Sequence, residues 1–285
     1  MQSEISKRFQ ELVQTLEDAN SNPSAGLAEG ALIVAAEARP ETDIDSALSI
    51  LDDVVERVRP LVEAAEQPSE KIEALNHALF ELENFRGNQT QYDDPRNSFL
   101  DEVLARRKGL PITLSVVYVD IARRFGLDAH GVGFPGHFLA KIIGVSDVPE
   151  QEVIVDPFFG RTLSIEDCAE RLKAAAGSDV PFDQQWLRPA SAQEIYIRIL
   201  NNLKLLYLRQ GDGLGALGCF DRILVLAPQA AFEYRDRGLL LEKLECIHAA
   251  IEDLSQFLEL APRNEDTTAI KARRDALNER RPALN

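Results

Sequence analysis

Apolar residues return every three or four positions through the first 86 residues, as in Leu48, Leu51, Val54, Val55 and Val58 and again in Ile72, Leu75 and Leu79. That is the period of helices with one buried face. A polar stretch, Gly87 to Asp94, follows, and Asp94-Pro95 has the form of a helix cap with proline at the first helical position, predicting a helix to about Arg107. From Pro111 to Phe125 apolar residues occupy nearly every side, which predicts a central, buried helix. It closes at Arg123-Arg124-Phe125-Gly126, with cations in the last turn and glycine after it. Beyond Gly126 the texture changes to short β-branched or aromatic runs, beginning at His130, His137 and Glu152 and bounded by Gly, Pro and Asp, which predict a small antiparallel sheet. Ser164-Ile-Glu-Asp167 then resembles a capping box opening a helix to about Ala176.

After a loop carrying Pro181, Trp186 and Pro189 the sequence repeats itself. Leu226-Ala227-Pro228 returns as Leu260-Ala261-Pro262, Ala216 as Ala250 and Phe220 as Leu254, all offset by 34 residues. This is the tetratricopeptide period. Leu203, Tyr207, Tyr234 and Gly238 stand where such a repeat packs large and small residues. The expected organisation is therefore a core over residues 1–188 with a helical N-terminal layer, and a repeat segment over residues 189–285 made of two units plus a capping helix. Two units bury little surface, so they are expected to dock on the preceding domain.

Composition narrows the functional classes. The 285 residues are 45% hydrophobic and 27% charged, as in ordinary globular proteins. A net charge of −16 repels phosphate backbones and anionic headgroups, so neither nucleic acid nor membrane is expected as a partner. No export signal or bilayer-length apolar run is visible, and the expected location is the cytoplasm. Cys168, Cys219 and Cys246 form no C-x-x-C pair and are expected to be buried thiols. No His, Cys and carboxylate set has metal-ligand spacing, so neither metal nor cofactor is expected.

Two residues could carry chemistry. His137 follows Phe134-Pro135-Gly136, and Asp156 precedes Pro157-Phe158. If the two strands pair with Ile143 opposite Glu152, Leu139 lies opposite Asp156, and His137 becomes a diagonal neighbour of Asp156 on the same face. Such a pair either orients a general base or forms a structural hydrogen bond at a sheet rim. His130 reads as a rim residue, and His77 and His248 as side chains on helical patterns without a role.

The run Phe85-Arg-Gly-Asn-Gln-Thr-Gln-Tyr-Asp-Asp-Pro-Arg-Asn-Ser-Phe-Leu100, with Gly109-Leu-Pro-Ile-Thr-Leu-Ser115 and Pro135-Gly-His-Phe138, resembles the bacterial SirB family. Its members join a transglutaminase-like core to C-terminal tetratricopeptide repeats. The resemblance spans residues 30 to 265, with its specific motifs between 85 and 158, and implies a papain-like α+β core. Active enzymes of that fold use a Cys, His, Asp triad whose cysteine opens a buried helix, where the helix N-terminus stabilises a thiolate. His137 and Asp156 match the second and third triad positions, but the nucleophile position falls on Pro111. Proline cannot attack anything.

Substitute nucleophiles are poorly placed. Thr113 points about 200° away from Pro111, and Ser115 shares its face but lies about 6 Å deeper. Cys168 neighbours Glu166 and Asp167, whose charges raise a thiol pKa. The resemblance therefore implies a non-catalytic protein that binds a protein or peptide partner through a vestigial cleft, expected to involve Asn97, Pro111, Tyr118, His137 and Asp156, together with the repeats. The alternative is a hydrolase or peptidase in which Ser115 or Thr113 works with His137 and Asp156.

Overall fold

In the computed structural model, which describes residues 4–17, 26–144, 152–177 and 180–280, every residue from Pro111 to Ala122 is buried. This stretch belongs to helix α6 (Pro111–Arg124), whose apolar faces on all sides require neighbours on all sides. It touches helices α2 (Leu27–Ala38), α3 (Ile44–Glu63) and α5 (Leu100–Arg106), and strands β3 (Asp128–Val132) and β4 (Leu139–Ile143). Helix α1 (Glu4–Glu17) packs on α2, and α4 (Pro68–Asn76) packs on α3. A π-helical turn, His77–Leu82, continues α4.

Strands β3 and β4, β5 (Glu152–Asp156) and β6 (Arg161–Leu163) form an antiparallel sheet in the order β3-β4-β5-β6. A separate parallel ladder joins β1 (Arg86–Gly87) to β2 (Lys108–Gly109). Helix α7 (Ile165–Ala176) opens on the predicted capping box: Ser164 Oγ accepts from Asp167 N, and Asp167 Oδ2 accepts from Ser164 N. The α+β class predicted from the sequence is the class observed.

Several local expectations change. The helix predicted from Asp94 to Arg107 is a single 3-10 turn, Pro95–Asn97, followed by α5. Asn97 breaks it, because its carbonyl accepts from Leu110 N and Thr113 Oγ1 instead of continuing a helical ladder. His137 lies in a turn, since β4 begins at Leu139. Cys168 and Cys219 are buried, but Cys246 is exposed, because it lies in the connection just before the helix Ile247–Leu260 and outside its buried face.

Contacts divide the chain into two compact units, residues 1–199 and 200–285. The division falls inside helix α8 (Ala192–Gln210). In the second unit, α9 (Gly213–Leu226) and α11 (Ile247–Leu260) begin and end 34 residues apart, which is the repeat seen in the sequence. Helix α10 (Ala231–Lys243) pairs closely with α11 at Gly238, where an added Cβ would lie 2.9 Å from the Leu254 side chain. Arg237 of α10 bridges the helices on either side, reaching Asp253 and Asp221 at 2.7 Å each. Helix α12 (Thr267–Glu279) packs on α11 through its own buried Ile270 and Leu277, which join Ala250, Leu254 and Phe257 of α11.

Candidate functional site

Strand β4 pairs with β5 so that Ala140 faces Val155 and Ile143 faces Glu152, the pairing on which the expected approach of His137 to Asp156 depends. Just before β4, Phe134-Pro135-Gly136-His137 forms a turn closed by His137 N donating to Phe134 O at 3.0 Å. Gly136 takes φ +68°, a left-handed value that glycine adopts without a steric penalty. The turn aims the imidazole along the sheet, where His137 Nε2 lies 2.9 Å from Asp156 Oδ1. The aspartate side chain is wholly buried and that of His137 only 10% exposed. Because a carboxylate only accepts, Nε2 carries the proton in the neutral ring, and Nδ1 presents a lone pair.

Asp156 does more than hold the histidine. The same Oδ1 accepts from Phe158 N at 3.1 Å and from Phe159 N at 3.3 Å, so one oxygen fixes both His137 and the tight turn between β5 and β6. Gly160 closes this turn at φ +66°, donating to Asp156 O. Arg171 of α7 brings Nη1 within 2.7 Å of Oδ2, an ion pair whose N–H is not aligned for a hydrogen bond. Burial pushes the Asp156 carboxyl up, but the His137 hydrogen bond and charge, the Arg171 guanidinium and the Phe159 N–H outweigh it. The group is held below the usual aspartate range. Around the imidazole, Phe158 stands edge-on at 5.9 Å and Phe159 stacks at 6.0 Å, with Arg171 lying 5.5 Å over the Phe159 ring.

The remaining predicted residues separate into other roles. Pro111 opens α6 as its first residue. Thr113 is fully buried and committed locally: its hydroxyl reaches Asn97 O at 2.9 Å and Leu110 O at 3.1 Å, and it accepts from Leu110 N. Ser115, also buried, donates to Phe138 O at 3.4 Å. Among the described residues neither hydroxyl hydrogen-bonds to His137.

Asn97 and Tyr118 are interior groups and do not line an open wall. The Asn97 amide donates to Gln91 O and Tyr92 O and accepts from Asn88, pinning the loop before α5. Tyr118 donates to Asn76 Oδ1 at 2.8 Å and stacks on Phe80 of the π-helical turn, and burial pushes its hydroxyl pKa up. Burial also pushes the Cys168 thiol up to about 11, which leaves it a packing residue among Val132, Phe134 and Leu172. His130 contacts Asp128 at 2.8 Å on β3, while His77 and His248 are exposed. No group of His, Cys, Asp and Glu able to hold a metal occurs among the described residues.

Sequence reasoning missed Arg171, Phe158 and Phe159 as parts of the site. The one available signal was the hairpin-like Asp156-Pro-Phe-Phe-Gly-Arg161, whose length and glycine mark a tight turn returning the chain beside Asp156. Clefts of about 430 and 510 Å³ open near Arg123, which lines both, and neither contains His137. The site is thus a ring-lined surface around an oriented imidazole. It can accept a proton or hydrogen bond through Nδ1, but brings no side-chain nucleophile into hydrogen-bond contact with it among the described residues.

Comparisons with known proteins agree with this architecture. Residues 45–201 match the model of the transglutaminase-like superfamily, and residues 203–275 match a tetratricopeptide repeat model. A UPF0162 protein of Xylella fastidiosa (strain 9a5c) is 36% identical over 255 residues, covering 88% of this chain and 89% of that protein. A UPF0162 protein of Pseudomonas aeruginosa is 33% identical over 235 residues, covering 82% and 84%. Protein SirB1 of Salmonella typhimurium is 29% identical over 174 residues, covering 61% and 64%. No solved structure matches the chain. With a transglutaminase-like core followed by tetratricopeptide helices, the chain belongs to the SirB-like UPF0162 family of the transglutaminase-like superfamily.

Proposed function

We propose that this protein is a non-catalytic member of its superfamily that binds a protein or peptide partner, using the surface around His137 and Asp156 together with the repeats. The observation that carries the reading is Pro111 at the first position of α6, where the superfamily resemblance places the nucleophile. Proline offers no thiol, and it lacks the backbone N–H that could help stabilise an oxyanion. The neighbouring donor is spent, since Leu110 N already points to Asn97 O and Thr113 Oγ1. The hydrolase reading through Ser115 or Thr113 loses support because both hydroxyls are buried and bonded to backbone carbonyls. Tetratricopeptide helices are a common scaffold for protein partners, which supports the binding class without naming the partner.

The test is affinity capture from the native cytoplasm with the full chain and with a His137→Ala variant. A partner retained by the wild type and lost in the variant is the expected result. Capture that ignores the substitution, or hydrolysed products accumulating with the wild type alone, would remove the non-catalytic cleft reading.

A further inference from the structure

The larger of the two clefts beside Arg123 lies within the first compact unit, bordered by β3, the start of α2, the end of α6 and the start of α8. Ala190 N donates to Gly131 O at 2.8 Å, which ties the chain entering α8 to β3 and holds these two walls together. The volume, about 510 Å³, suits a small molecule. Leu27, Leu127 and Ile195 give the cleft an apolar lining, while Arg123, Asp128 and His130 supply its charged and titratable groups.

These groups define what the cleft can hold. Arg123 is anchored by Nε donating to Ala129 O at 2.7 Å. Hydrogen bonds to carboxylates push Arg57, Arg96 and Arg237 up, whereas burial pushes Arg123 down even though Asp120 and Asp128 are near. Its charge is thus desolvated by more than those carboxylates offset, and a bound anion would be stabilising. Asp128 Oδ1 lies 2.8 Å from His130 Nε2. Because a carboxylate only accepts, Nε2 of the neutral ring carries the proton and the other ring nitrogen is an acceptor. Asp128 and His130 therefore call for a donor where Arg123 calls for an acceptor. A simple carboxylate satisfies Arg123 alone, a simple amine satisfies Asp128 alone, and a polyanion is opposed by the net charge of −16.

We propose that this cleft binds a small apolar zwitterion, its carboxylate on Arg123, its ammonium on Asp128 and His130, and its aliphatic body against Leu27, Leu127 and Ile195. A free aliphatic α-amino acid and a dipeptide of such residues share this chemistry. The cleft does not include His137, so the proposal does not rest on the partner-binding reading.

Isothermal titration calorimetry of the full chain with L-leucine, leucyl-leucine, isocaproate and isopentylamine is the test. Leucine or leucyl-leucine should bind saturably, and the tighter of the two identifies the source. Isocaproate and isopentylamine each lack one charge and should bind about tenfold more weakly or worse, since each leaves a group of the wall unpaired. Asp128→Asn keeps the size of an exposed side chain and should weaken the zwitterion about threefold or more. Ala192→Leu fills the cleft from the first residue of α8 without altering a charge and should also weaken binding, which decides the question should Asp128→Asn melt at lower temperature. Absence of saturable binding by both zwitterions, equally tight binding of the acid or the amine, or affinity unchanged in a folded Asp128→Asn or Ala192→Leu variant would each overturn the proposal.

Discussion

One carboxylate oxygen carries three donors in this protein, and the consequences can be measured at the level of single residues. Asp156 has its folded pKa below the ordinary value, about 3.9, so the stability it contributes is complete above that pH and is lost as pH falls through the folded pKa. Asp156→Ala leaves Arg171 and two turn amides without their partner and should cost about 3 kcal/mol at pH 7. Chemical denaturation of both proteins should show the gap narrowing below about pH 4. A difference that stays constant down to pH 3 would show that the carboxylate's charge is not what stabilises the site. Position 111 gives a second test. Pro111→Cys places a thiol at a position that is buried, as Cys168 and Cys219 are, but at a helix N-terminus, which stabilises a thiolate. It should therefore be alkylated faster at neutral pH than those two, which burial pushes up to about 11 and about 12. Exposed Cys246 should be replaced by Ser beforehand so that its label does not mask the result. Fast labelling of Cys168 in the parent protein, abolished by His137→Ala, would return a nucleophile to the site and contradict the binding role.

At the scale of elements, the short ladder of β1 and β2 supports the Phe158 ring beside His137. Gly87 N donates to Phe158 O, and a Cβ at this glycine would sit 2.5 Å from the Phe158 ring. Gly87→Ala must therefore displace that ring and, through it, His137. The expected cost is about 1 to 3 kcal/mol, together with a shift of the His137 ring resonances in NMR spectra. Unmoved resonances would disconnect the ladder from the site. What the sequence reveals of these elements follows from their periods. Alternation by two brought His137 near Asp156 only on the condition that Ile143 pairs with Glu152, and His137 itself lies in the turn before β4. A helix apolar on all sides announced α6. Strand β6 escaped notice because it has three residues, two of them exposed, and so carries no alternation to read. The turn at His77–Leu82 escaped because π-helical bonding leaves no distinctive hydrophobic pattern. Arg171 was invisible for a third reason: it comes from another element, and only the packing of α7 beside β5 brings it to Asp156.

For the whole molecule, the first half of α8 belongs to the core. Ile195, Tyr196 and Ile199 are each 2% exposed, and Tyr196 lies so close to Gly30 that any Cβ there would collide with its ring. The loop before Pro189, a natural place to divide the chain by composition, is thus not where the compact units part. A fragment of residues 1–188 should melt at lower temperature than one of residues 1–210, since removal of a single buried aromatic costs about 3 to 5 kcal/mol. Equal melting temperatures would show that these residues add nothing to the core. The arrangement around Asp156 also bears on how such molecules evolve. Because its carboxylate closes a turn as well as orienting a histidine, the demands of folding alone are enough to retain it. A histidine and aspartate pair in this setting is therefore no evidence of activity by itself, because the turn alone requires the aspartate.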